Sequence, residues 1–183
     1  MKIVGNVFAA LGVLALGYWA WELVSARIYQ AQQTRIFTSK LPSAAALYPS
    51  TGSTVALLTI PRLGLESIVV EGAEERELKL GPGHIPGTSL PGGGGNVGMA
   101  GHRDTFFRPL RLIRKDDPIK VITHQQEYRY KVVSTKIVAP EDVQVLYPAG
   151  HETLTLVTCY PFDFVGAAPK RFIVRADCTN CLP

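Results

Sequence analysis

Cys159 stands next to last in the run Thr153-Leu154-Thr155-Leu156-Val157-Thr158-Cys159-Tyr160, and two residues elsewhere in the chain match its chemistry. His102 ends the stretch Asn96-Val97-Gly98-Met99-Ala100-Gly101-His102. Arg171 belongs to the basic pair that opens Lys170-Arg171-Phe172-Ile173-Val174-Arg175-Ala176. A free cysteine is only slightly ionised at neutral pH, but its thiolate is strongly nucleophilic. An imidazole within reach raises the thiolate fraction and then donates a proton to a departing amine. A guanidinium is always charged and presents its donors in a fixed fork. That fork suits the oxyanion created by carbonyl attack, or the backbone of a peptide substrate. Together the three groups are equipment for nucleophilic acyl transfer. Most free cysteines are instead small buried hydrophobes, so the assignment depends on where the chain puts all three.

The segments that must position them read as strands. Thr153 to Tyr160 is β-branched and leucine-rich, with no Gly or Pro before Pro161. Alternation puts Leu154, Leu156 and Thr158 on one face and Thr153, Thr155, Val157 and Cys159 on the other. The leucine face is expected to pack on the core, so Cys159 projects from the less greasy face at the strand's end. In the second segment Val97 and Met99 oppose Gly98, Ala100 and His102. In the third, Phe172, Val174 and Ala176 face the core and Arg171 faces away. All three candidates therefore lie on non-core faces near strand ends.

Three separated motifs agree in order and spacing with the sortases, the cysteine transpeptidases of bacterial surfaces. The text GPGHIPGTSLPGGGGNVGMAGHRDTFFRPL and TLVTCYPFDFVGAAPKRFIVRA resembles class D sortases, over about Val55 to Ala176. The resemblance implies an all-β fold, a sortase-like eight-stranded β-barrel with short helices, and His102, Cys159 and Arg171 as catalytic residues. It also implies a two-step reaction. Cys159 cleaves a Leu-Pro-x-Thr-type signal after the Thr and holds a thioester, which an amine then releases. The implied partners are secreted proteins with C-terminal sorting signals and an amine-bearing cell-wall precursor or pilin-like acceptor. Two other readings compete. A transpeptidase of peptidoglycan stem peptides would resemble Ser-His-Gly-Cys-x-Arg around its thiol. This chain has Leu-Val-Thr-Cys-Tyr, with its Arg 12 positions on (171 − 159). A non-enzymatic, membrane-tethered binding domain would make Cys159 dispensable.

The chain has 183 residues, enough for one ordinary domain plus an appendage, and a formal net charge of +4. A modest basic balance fits an anionic wall or membrane surface, and equally a set of solvated lysines. No basic run carries interleaved aromatics, so a nucleic-acid partner is not expected. Cys178 and Cys181 form a C-x-x-C near the C-terminus: a redox pair, half a metal site or a local disulfide. No second C-x-x-C or spaced His pair completes a zinc site, and no acidic cluster suggests calcium. Neither metal nor cofactor is expected, and the C-x-x-C is read as structural or incidental.

From Ile3 to Val24 the chain is apolar apart from Asn6 and Glu22. That is 22 positions (24 − 3 + 1), long enough to cross a hydrocarbon core as a helix. Tyr18, Trp19 and Trp21 sit where an interfacial aromatic belt belongs. A cleaved signal peptide ending at Val24-Ser25-Ala26 is the competing reading, but the block is longer than a usual h-region and a retained anchor is favoured. This predicts a single-pass protein of the cell membrane with its catalytic domain outside the cytoplasm. The expected organisation is residues 1–26 as N-terminal transmembrane helix or signal segment, 27–53 as linker, 54–177 as catalytic domain and 178–183 as tail. Within the linker, 27–37 is polar and able to extend the helix, and Leu41-Pro42-Ser43-Ala44 starts like a sorting signal but lacks the Thr.

Strands are expected over Val55–Ile60, Leu65–Val70, Ile119–Thr123 and Tyr128–Ile137, with a short polar helix in Glu71–Lys79. Leu80 to Gly95, dense in Gly and Pro, is read as irregular, and its His84 as a hydrogen-bonding structural residue. Val143, Val145 and Leu146 are expected to pack inward. Phe162 and Phe164, in the loop from Tyr160 to Pro169, are read as a wall for an apolar substrate groove. Arg103 and Asp104 are read as a local ion pair that orients His102, or as exposed residues, and stay outside the catalytic set.

Overall fold

The computed structural model describes residues 2–39 and 49–181. Its strands are β1 (Thr54–Ile60), β2 (Leu65–Glu71), β3 (Gly83–His84), β4 (Asn96–Gly101), β5 (Pro118–Ile122), β6 (Glu127–Val138), β7 (Thr153–Tyr160) and β8 (Lys170–Cys178). They close into a barrel in the order β1-β2-β3-β4-β7-β8-β6-β5, with β5 returning to pair with β1. β4 and β7 run parallel, and β8 is antiparallel to both β7 and β6. Closure leaves a sheet without free ends, which suits many short strands with Gly and Pro turns.

The barrel is filled by the side chains that alternation points inward. Leu58, Ile60, Val97, Met99, Leu154, Leu156, Val174 and Phe107 are fully buried, as are the expected core positions Val132 and, almost completely, Tyr128 and Tyr130. The buried hydroxyl of Tyr130 donates to Glu152 at 2.6 Å. Burial first, and then that carboxylate, push its ionisation far above the usual phenol range. Glu152 also accepts from the backbone N–H groups of Gly92 and Gly94, each at 3.0 Å, tying down the glycine-rich loop before β4.

Several expectations are corrected. The stretch 80–95 is not wholly irregular. Gly83 and His84 form β3, parallel to β2 and antiparallel to β4, and this two-residue strand bridges the barrel wall. Repeated Gly and Pro conceal a strand this short, because it needs only two residues of extended backbone. Val143 is exposed, while Val145 and Leu146 are partly buried, in the short 3-10 helix Val143–Leu146. That segment lies over β4 and reaches Thr155 of β7, and Thr153 and Thr155 are as buried as the leucines. Thr155 donates to Asn96, and Asn96 donates to the carbonyl of Val145.

Residues 27–39, assigned to the linker from sequence, belong to α1 (Lys2–Ser39) and pack on the barrel. Phe37 is buried with Leu57, Ile68 and Val70. The remainder of the expected linker, including Leu41-Pro42-Ser43-Ala44, lies at residues 40–48 outside the described residues, and residues 49–53 lead into β1. The N-terminal half of α1 exposes Val7, Leu11, Val13, Leu14 and Leu16. Among the described residues no helix is long and apolar enough to cross a membrane. A disulfide joins Cys178, the last residue of β8, to Cys181.

Candidate active site

Three adjacent strands, β4, β7 and β8, carry the three candidates. In the antiparallel β7–β8 pair Cys159 lies directly opposite Arg171. In the parallel β4–β7 pair Gly101 lies opposite Thr158, so His102 leaves β4 level with Cys159. Neighbouring strands are about 4.8 Å apart, so Cys159 sits on the middle strand, with His102 just past the end of one neighbour and Arg171 near the start of the other. Cys159 is free and half-buried, within reach of a ligand outside the barrel.

Local chemistry fixes each position. A Cβ on Gly101 would sit 2.7 Å from the buried Phe107 ring, so only glycine lets β4 end there. Thr158, on the leucine face as its alternation requires, donates to the Gly101 carbonyl at 2.7 Å. The His102 carbonyl accepts from the N–H of Phe107 at 3.0 Å. The histidine is thus held on both sides of its Cα while its ring remains 31% exposed. Its Nε2 lies 3.9 Å from Glu75, in the first turn of α2 (Glu75–Leu80). Arg171 donates through Nη1 to the carbonyls of Ala168 and Lys170. Among the described residues nothing accepts from its Nε or Nη2.

Arg103, left out of the site by sequence, organises its rim. It does not pair with Asp104. Its guanidinium donates to the carbonyls of Pro161 at 3.2 Å, Phe164 at 2.7 Å and Gly166 at 2.9 Å, and stacks over the Phe164 ring. The loop between β7 and β8 is therefore pinned to the residue after His102. Phe162 packs inward against Tyr160 and Phe172, whereas Phe164 is exposed. His84 is not part of this cluster. It is buried on β3, bonded to Glu71 at 2.7 Å, the Ser89 carbonyl at 3.0 Å and Thr88 at 3.1 Å, which matches its structural reading.

Among the described residues one group has the makings of a metal site: Glu152, Cys178 and Cys181, with donor atoms within 4.8 Å of one another. The sulfurs are joined in the disulfide and the carboxylate is engaged by Gly92, Gly94 and Tyr130. The group is committed to structure, at the opposite end of β7 from Cys159.

Residues 58–179 match the model of the sortase domain. The chain is 30% identical over 190 residues to Sortase D of Bacillus subtilis (strain 168), covering 94% of this chain and 96% of that protein. Among solved structures, a Clostridium perfringens Sortase D5 transpeptidase superposes with a TM-score of 0.71 at 24% identity, over 84% of this chain and 98% of the other. C. perfringens sortase C, solved with the C-terminal cell wall sorting motif, superposes with a TM-score of 0.67 at 23% identity, over 87% and 88% of the two chains. The likeness to class D read from the motifs is met by the first of these relatives, and the eight-stranded barrel by the structures. The chain belongs to the sortase family and is an enzyme, a cysteine transpeptidase.

Proposed function

We propose that Cys159 is the nucleophile, His102 the proton carrier and Arg171 the oxyanion or substrate-backbone donor of a transpeptidase that acts on a Leu-Pro-x-Thr-type sorting signal. The observation that carries this reading is the strand register, with Cys159 opposite Arg171 and level with His102. In the first step Sγ attacks the Thr carbonyl carbon, the peptide C–N bond breaks, and His102 gives its proton to the departing amine. In the second an acceptor amine attacks the thioester, the C–S bond breaks, and an amide forms as the thiolate is restored. The proton lost by that amine returns to His102. Arg171 acts while the carbonyl oxygen carries negative charge, where fixed donors are worth most.

A cavity of about 390 Å³ supports a peptide substrate. It is lined by Ile173 and Arg175, the next residues along the Arg171 face of β8, and by Asp142, Gln144 and Val145 from the segment before β7. The substrates are secreted proteins that carry C-terminal sorting signals; the support is the likeness to the sortase C solved with the C-terminal cell wall sorting motif. The acceptor is the amine of a cell-wall precursor or a pilin-like protein. The enzyme is held at the cell membrane by α1, with the barrel on the outer side. The support is that exposed apolar residues, Val7, Leu11, Val13, Leu14 and Leu16, follow no single stripe of the helix.

A fluorogenic Leu-Pro-x-Thr peptide, with and without an added amine, tests the assignment. The wild-type chain is expected to ligate the amine, and Cys159→Ala to lose both cleavage and ligation. Equal turnover by the two proteins would reject the nucleophile and return the binding-domain reading.

A further inference from the structure

α1 runs along the barrel in a fixed direction. Near its C-terminal end Phe37 packs its ring against His124, centroids 4.2 Å apart, in the hairpin between β5 and β6. Midway, Gln30 is bonded to Ile68 and Leu80. Towards its N-terminus, Tyr18, Trp19 and Arg27 share a cavity of about 640 Å³ with His102, Asp104 and Phe106. Trp19 and Phe37 are 18 residues apart (37 − 19), about 27 Å of helix at 1.5 Å per residue. The strand directions put the β5–β6 hairpin and His102 at opposite ends of the barrel. The helix therefore spans the barrel from end to end and reaches the catalytic end at Trp19. From there back to Lys2 it continues for 17 residues (19 − 2), about 25 Å, and the large apolar side chains described in that stretch are exposed.

We propose that the catalytic end of the barrel faces a phospholipid bilayer, with the His102 loop and α2 at the level of the headgroups. This rests on the reading of α1 as the anchor. Aromatic side chains settle at the membrane–water interface and cationic ones just beyond it. Tyr18, Trp19 and Trp21 are exposed, Arg27 follows them, and the apolar stretch lies on their N-terminal side. Trp19 fixes the interface, and Trp19 and His102 line the same cavity. A helix docked through Gln30 and Phe37 gives the barrel no freedom to present its other end, as a flexible tether would. Cys159 is then open at the headgroup layer, where an acceptor amine embedded in the same bilayer would meet the thioester.

The test uses the full chain in phosphatidylcholine–phosphatidylglycerol vesicles. In a Cys159→Ala background, Thr105→Cys places a fluorophore at the catalytic end and Gln125→Cys places one at the far end. Headgroup-spin-labelled lipid is the quencher. Vesicle flotation, with several-fold stronger quenching at position 105 than at 125, is the expected result. Flotation with equal or reversed quenching overturns the orientation alone. Failure to float overturns the anchor reading and the orientation with it.

Discussion

Arg103 spends its guanidinium on three backbone carbonyls, those of Pro161, Phe164 and Gly166. Those carbonyls lie in the loop that joins the strand of Cys159 to the strand of Arg171, so Arg103 is a positioning residue for both. Arg103→Ala is expected to lower kcat/KM on a sorting peptide by about tenfold, equivalent to about 1.4 kcal/mol. Most of the change should lie in KM, because the loop joins the ends of β7 and β8 beside the candidate site and the thiol itself is untouched. Steady-state kinetics check this; a loss confined to kcat with KM unchanged would place Arg103 in the chemistry instead. The residue types of the candidate site were readable, since thiol, imidazole and guanidinium each suit a role in acyl transfer, and all three are partly exposed, as alternation off the core faces requires. Arg103 was not readable. Its partners are main-chain oxygens, 58 to 63 positions away, and main-chain oxygens leave no signature in a sequence.

Between elements, one ion pair does a comparable job. Arg62, in the 3-10 helix Pro61–Leu63 after β1, meets Asp117, just before β5, through Nε at 2.5 Å and Nη2 at 2.6 Å. Asp117 also accepts from the N–H of Arg114 at 2.7 Å, and Arg62 donates to the Leu112 carbonyl. The hydrogen bond from Arg62, and after it that from Arg114, hold the carboxyl below the usual carboxylate range. A carboxyl whose folded value lies below its unfolded value of 3.8 stabilises fully above that value and loses its contribution as pH falls through the folded value. Asp117→Asn is therefore expected to be less stable than wild type at pH 6 by about 1–3 kcal/mol. The gap in Tm should narrow steadily below pH 4 as wild type loses the same contribution. Thermal melts of both proteins from pH 6 to pH 2.5 check this, and a gap independent of pH would mean that the pair contributes through packing alone. The strands that flank the pair, β1 and β5, were legible from alternation; their clasp was not, because Arg62 and Asp117 sit in turns 55 residues apart.

For the whole molecule the weak point of the barrel is β3, whose two residues pair with β2 only at Val70 and Glu71. The edge of β2 before that point would stand open, a hazard in any sheet. α1 closes it with one side chain. The Gln30 amide accepts from the Ile68 N–H at 2.7 Å and from Ser67 Oγ at 3.0 Å. It donates to the carbonyls of Leu80 at 2.7 Å and Ile68 at 3.2 Å. A primary amide that both donates to and accepts from one residue imitates the peptide group of a neighbouring strand. The contact also needs glycine at position 81, since a Cβ there would collide with the Gln30 amide. No hydrophobic pattern announces such an arrangement, which is why residues 27–39 read as linker while the barrel itself was recognisable. Gln30→Ala would leave the Ile68 N–H without that partner, at a cost of about 1–3 kcal/mol for a buried unsatisfied group. The expected result is a lower Tm together with amide hydrogen exchange accelerated at Ile68 and little changed on β7. Restoration of both by Gln30→Asn is not expected, because the shorter side chain cannot span from α1 to β2. Exchange unchanged at Ile68 in Gln30→Ala would show that the barrel closes without α1.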